Sequence, residues 1–418
     1  MSHAAPREFF YTVETTANET QADWPSNGQP VYVIEPSVEG FTIDVRDSDN
    51  IAPRRQFIHE EIHGLRSGAT MSWGHYLTAK GSNAAETAQA TADDVATIMQ
   101  AGLGGMSLGW SIGLDGAGSA TTPGTDADPG FAAGDWGFFY DDSGAVGEFR
   151  RIESSTATTV TLFEDLTFTP DDAADVLHAV IAIYPDEPAL SSHADANYNT
   201  LGVLIQGEDV DDVYAGRGVK PTITIESITA GEEVKIKCEA KVTTYPDAMP
   251  AKQTVAGTPS GIAPLVASIG TTSSVRLGDF GGALAGVDCR GSIQIDLGID
   301  HDPIMGVCGT EGVKGYIGTG LGTAKVTLTV AIDDAFDVDF FAKTKKHLMI
   351  QIGDQPTDAI AFYFPRLKWA SKPKRVDDQG TTSMTMEFVC MEDTADSSGN
   401  TGDDIAQRRA PFIILRAA

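Results

Sequence analysis

Two literal catalytic spacings stand in the sequence. His59-Glu60-Glu61-Ile62-His63 is an HExxH run, which on a helix sets two imidazoles on one face to hold zinc, with the glutamate as general base. Gly105-Met106-Ser107-Leu108-Gly109 is a GxSxG run, which on a sharp strand-to-helix turn presents a serine nucleophile. Each chemistry needs its own setting, and the flanking residues predict others.

Pro53 and the polar residues before it leave little helix ahead of His59, and Gly64 and Ser67-Gly68 stop any helix almost at once. The segment therefore reads as a charged loop entering a strand from Ala69. A zinc hydrolase using His59, Glu60 and His63 is the rival reading from the enzyme class. Ser107 follows a predicted helix instead of preceding one, no α/β alternation surrounds it, and its glycines read as helix terminators.

Gly318-Thr319-Gly320-Leu321-Gly322 leads into a strand with no Gly-Lys-Ser/Thr to meet phosphate and magnesium, so it reads as a turn or loop. Asp44, Asp47 and Asp49, and likewise Asp300 and Asp302, lack a twelve-residue calcium loop ending in Glu and read as solvated surface. Cys238, Cys289, Cys308 and Cys390 form no CxxC pair, and Cys238 and Cys390 sit on alternating apolar runs as small core residues. No catalytic residue, metal or cofactor is expected.

The elements that would position these residues are mostly strands. Period-two alternation is clearest at Val234, Ile236, Cys238, Ala240 and Val242, with charged residues between most of them. It returns at Ile293, Ile295, Leu297 and Ile299, at Val326, Leu328, Val330 and Ile332, and at Met384, Met386, Phe388 and Cys390. Such segments predict an antiparallel sheet buried on one side. A hairpin is expected from 222 to 242, turning at Thr229-Ala230-Gly231-Glu232, and a second between 359–369 and 383–391.

Two short helices are predicted. The first starts at a capping Thr91, with Val95, Ile98, Met99 and Leu103 on one face. The second starts near Asp334, with Phe336, Phe340 and Phe341 before Lys343, Lys345 and Lys346. Each follows an alternating segment, which suggests two halves with one plan. Between the halves' motifs lie a Gly- and Asp-rich stretch, 113–134, and a small β module, 136–184, expected on an exterior surface. The chain ends in an acidic linker and Pro411-Phe412-Ile413-Ile414-Leu415, which either completes its own domain or clasps a neighbour.

The 418 residues suggest more than one core. Hydrophobic residues at 41% and charged residues at 21% match a folded protein. Acidic residues number 59 against 29 basic, a formal charge of -30 that repels phosphate and excludes a conventional nucleic-acid binder. High-salt adaptation or a soluble surface explains that charge equally well. The N-terminus has no signal-peptide pattern and no apolar run is long enough to span a membrane, so neither secretion by that route nor membrane insertion is expected.

In its order of elements the sequence resembles the tail tube (major tail) proteins of long-tailed bacteriophages and related archaeal viruses. The residues concerned are Val38-Glu39-Gly40-Phe41-Thr42-Ile43, the strand from 68 to 78, the helix ending Met99-Gln100-Ala101-Gly102-Leu103, and the hairpin 223–242. The second half continues a similar order through 324–332, Phe340-Phe341, 347–352 and Ala361-Phe362-Tyr363-Phe364-Pro365. The resemblance implies a mainly β fold, a tail-tube-like β-sandwich or partial barrel in two related halves, each with a flanking helix. One half would comprise 1–110 with 200–255, the other 256–392, with 111–199 inserted and 393–418 as linker and arm.

It further implies a virion protein, assembled in the host cytoplasm, whose rings stack into the tube through which viral DNA passes without specific binding. Its partners would be further copies of itself, as pseudo-hexameric trimers or as hexamers, and tape measure, tail terminator and distal tail proteins. Assembly candidates are Ile223, Ile225, Val234, Lys235, Lys237, Glu239 and Lys241 on the hairpin. Others are the basic cluster Arg366, Lys368, Lys372, Lys374 and Arg375, and Phe412, Ile413 and Leu415 of the arm. The rivals are a distal tail or baseplate ring protein, and an adhesin whose Trp136 and Tyr140 stack on sugars.

Overall fold

A computed structural model describes residues 8–14, 24–39, 42–47, 61–67, 69–77, 90, 92–125, 131, 134–170, 175–186, 200–207, 209, 213–242, 251–254, 274–280, 282–305, 313–319, 323–378, 381–392 and 410–417. The fold is mainly β, with several sheets and a nearly closed, barrel-like one.

Strands of the first half are β1 (Ile34–Glu39), β2 (Thr42–Asp47), β3 (Glu61–Ser67) and β4 (Ala69–Tyr76). Helix α1 (Asp94–Leu103) follows, then β5 (Gly104–Leu108), β6 (Val180–Pro185), β7 (Thr222–Ile225) and β8 (Lys235–Val242). The second half runs β9 (Gln294–Asp296), β10 (Asp300–Met305), β11 (Val313–Thr319), β12 (Lys325–Ala331), helix α2 (Ala335–Ala342), β13 (Lys346–Ile352), β14 (Ile360–Trp369), β15 (Lys374–Asp378) and β16 (Thr381–Cys390), and β17 (Ile413–Ala417) closes the chain.

Five antiparallel pairings of the first half recur in the second. β1 pairs β4 as β9 pairs β12, and β2 pairs β3 as β10 pairs β11. β4 pairs β8 as β12 pairs β16, β7 pairs β8 as β15 pairs β16, and β5 pairs β6 as β13 pairs β14. The buried residues repeat too: Ile236, Cys238, Ala240 and Val242 on β8 stand where Met384, Met386, Phe388 and Cys390 stand on β16. Period-two burial leaves the alternate residues of each strand to water, which is how one-sided antiparallel sheets are stabilised.

β17 joins the halves. It pairs with β6 on one side and β14 on the other, and Phe412, Ile413 and Leu415 are fully buried. The terminal segment thus completes its own chain.

The inserted module has other limits than its sequence suggests. Ile112–Gly118 and Pro123–Thr125, within the Gly-rich stretch, are strands of the module's six-stranded sheet, while 180–185 leaves it as β6. Gly118 at φ +125, with Ser119 and Thr122 bonded to each other, turns the chain between those two strands. Every residue of β6 is buried, as suits a strand covered on both faces. The module is anchored by Glu148, which lies between Arg150 and Arg276 and accepts hydrogen bonds from Thr167. Burial would raise that carboxyl's pKa, but the two arginines and Thr167 hold it below the ordinary value.

A further four-stranded sheet, ordered 213–219, 200–206, 8–14 and 29–31, covers α1. The N-cap of α1 is Asp93, which accepts from Ala96 N at 2.8 Å, in place of the expected Thr91, which lies outside the described residues. Gly104 closes the helix at φ 97.

Candidate assembly surfaces

Glu61, Ile62 and His63 lie on β3, paired with β2 so that Val45 stands opposite His63. This corrects the expected loop: Glu61 to His63 are extended, and not on the helical turn that an HExxH zinc site uses. His59 and Glu60 lie outside the described residues. Among the described residues no cluster of His, Cys, Asp and Glu could hold a metal ion.

Ser107 sits on β5, hydrogen-bonded along β6, and not on a strand-to-helix turn. Gly105 has a packing reason to be glycine: a Cβ there would come within 2.2 Å of the Tyr184 ring. Gly318 and Thr319 end β11, and Gly320 to Gly322 lie outside the described residues. Asp300 accepts from Thr222 Oγ1 at 2.9 Å and Asp302 from Lys241 Nζ at 3.1 Å, so protein donors occupy both carboxylates.

Four histidines, His75, His178, His301 and His347, are buried, and burial lowers each pKa to about 4, leaving them neutral at pH 7. Cys238 and Cys390 are buried thiols whose pKa is pushed up by burial, which makes them packing residues instead of nucleophiles. A cavity of about 340 Å³ marks the seam where the module meets the second half, lined in part by Trp136, Phe163, His347 and Tyr363. Trp136 is only 5% exposed and Tyr140 donates to Gln355 Oε1 at 2.8 Å, so neither is the open sugar platform expected of an adhesin. No helix among the described residues is long and apolar enough to cross a membrane.

The assembly candidates separate into groups. Ile223, Ile225 and Val234 belong to the core of their own chain, as do Phe412, Ile413 and Leu415. Lys235 pairs with Glu233 at 3.3 Å, Lys237 lies 3.9 Å from Glu239, and Lys241 reaches Asp302. The lysines on the wet face of the hairpin thus lie beside acids of their own chain. Arg366 stacks over Phe280 at 5.5 Å and donates to Glu392 O.

Lys372 and Arg375 pair with Asp337 and Asp334 around α2, again within the chain. These pairs are exposed, and such pairs are worth at most about 1 kcal/mol. Lys368 and Lys374 are exposed.

Among the described residues, β1 ends one four-stranded sheet and β15 pairs with β16 alone. The ribbons β2–β3 and β10–β11 each form a sheet of two strands, extending the pairings β1–β4 and β9–β12. Sequence reasoning missed both ribbons, because their strands are short of apolar alternation. The fragment Thr42-Ile43-Asp44-Val45, continuing from β1, is the signal that could have revealed the first.

The chain matches no protein-family model and no curated protein sequence.

Proposed function

We propose that this chain is a non-catalytic structural protein of a viral tail, self-assembling into rings that stack as the tail tube, the channel for DNA delivery. Three copies make a ring of six related halves. The observation that carries the reading is the repetition of five strand pairings in the same order, each set with a ribbon and a helix. A two-stranded ribbon is at best marginally stable by itself in water, and for the first ribbon further copies supply the cover. Open edges are a hazard in a monomer but a joint in an assembly, and closing the sheet across copies removes them.

The charge of -30 suits a lumen through which DNA slides without adhesive phosphate contacts. Tape measure, tail terminator and distal tail proteins would be the partners at the ends and interior of the tube. Native mass spectrometry tests the ring: the reading predicts a species of three chains of 44.1 kDa each, and a chain that stays monomeric at every concentration contradicts it.

A further inference from the structure

The two halves of one chain already meet edge to edge. Past β7, Ile228 and Ile293 exchange two backbone hydrogen bonds of 2.9 Å, joining the first half's hairpin to the strand that becomes β9. The second ribbon settles beside the joint: Thr222 donates to Asp300, Lys241 to Asp302, and His301 Nε2 lies 2.7 Å from Gly102 O at the end of α1. The result is one run of strands, β1-β4-β8-β7, bridged to β9-β12-β16-β15.

The same joint is missing its counterpart at the far end. By the repeat, β15 stands where β7 stands, and β1 where β9 stands, yet among the described residues both strands end their sheets. α1 is covered by its own sheets and by the second ribbon, and seven of its residues are buried. α2, its counterpart, buries none, and Val338 and Phe341 are 66% and 69% exposed, with Val376 of β15 at 41%. Isolated exposed apolar residues are ordinary, but three on adjoining elements beside an open edge mark an interface.

We infer that β15 and α2 of one copy seat β1 and the first ribbon of a second copy, repeating between chains the joint that lies within each chain. This rests on the ring reading and names its contact. Charge supports the occupant: β15 offers exposed Lys374, beside Arg375 that is exposed but already bonded to Asp334 of its own α2, and β1 offers exposed Glu35 and Glu39. The contact is head-to-tail, so each copy uses one edge to bind and the other to be bound, and rotation closes the ring. Opposite charge on the two edges favours this pairing over either edge meeting itself.

The test is charge reversal in the full chain, with assembly read by sedimentation and folding by circular dichroism. Lys374→Glu with Arg375→Glu, and separately Glu35→Lys with Glu39→Lys, are expected to cut the ring fraction by about tenfold or more at low salt while leaving the monomer folded. The variant carrying all four substitutions is expected to regain rings. Rings that persist in both double variants overturn this contact and leave the ring reading standing. A wild-type chain that forms no rings overturns both.

Discussion

Arg416, the most deeply buried cation among the described residues, closes a two-pronged ion pair on Asp93, with both bonds at 2.6 Å across 323 residues of sequence. Asp93 is also the N-cap of α1, so one carboxylate ties β17 to the start of α1. Removing one partner leaves a buried charge uncompensated, which costs roughly 3–5 kcal/mol. Arg416→Ala is expected to lower the stability found by urea unfolding by that amount, and a change within 0.5 kcal/mol would show the pair to be incidental.

Acid should weaken the fold through its histidines. Their folded pKa values of about 4 lie below the unfolded value near 6.5, so the unfolded chain binds more protons between those pH values. The stabilisation is full above pH 6.5 and is lost as pH falls toward 4, by about 1.4 kcal/mol per pH unit for each histidine. Urea midpoints measured from pH 7.5 to 4.5 should fall steadily, and His75→Gln should flatten the slope.

Gly105→Ala separates a packing glycine from a catalytic motif. The added methyl meets the Tyr184 ring, and overpacking of this kind costs about 1–3 kcal/mol. Thermal unfolding should show the loss, and an active-site serine probe should label neither this variant nor the parent.

The HExxH spacing is expected to hold no zinc. Metal analysis of the purified chain should find no stoichiometric zinc, and His59→Ala should change neither that result nor the melting temperature. One zinc per chain, lost on substitution, would restore the hydrolase reading.

Much of this architecture is written in period-two alternation. Ile236, Cys238, Ala240 and Val242 face the core as their spacing predicts, and the hairpin turns at Gly231, whose φ of 77 calls for glycine. β6 and β17 were harder to place, because a strand buried on both faces shows a continuous apolar run with no period. Lone apolar runs such as Val180-Ile181-Ala182-Ile183 do not say which sheet they enter. The assembly surfaces were least legible, since an open edge is a matter of which strands lack a partner. Lys372 and Arg375 read as free cations until α2 brought Asp337 and Asp334 beside them.

The central claim is that copies of this chain close into rings and stack. Negative-stain electron microscopy of the purified protein, at micromolar concentration over a range of salt, tests it most directly. Rings of three chains with a central channel, stacking into tubes, are the predicted result, and persistent single particles without rings at every salt concentration would contradict it.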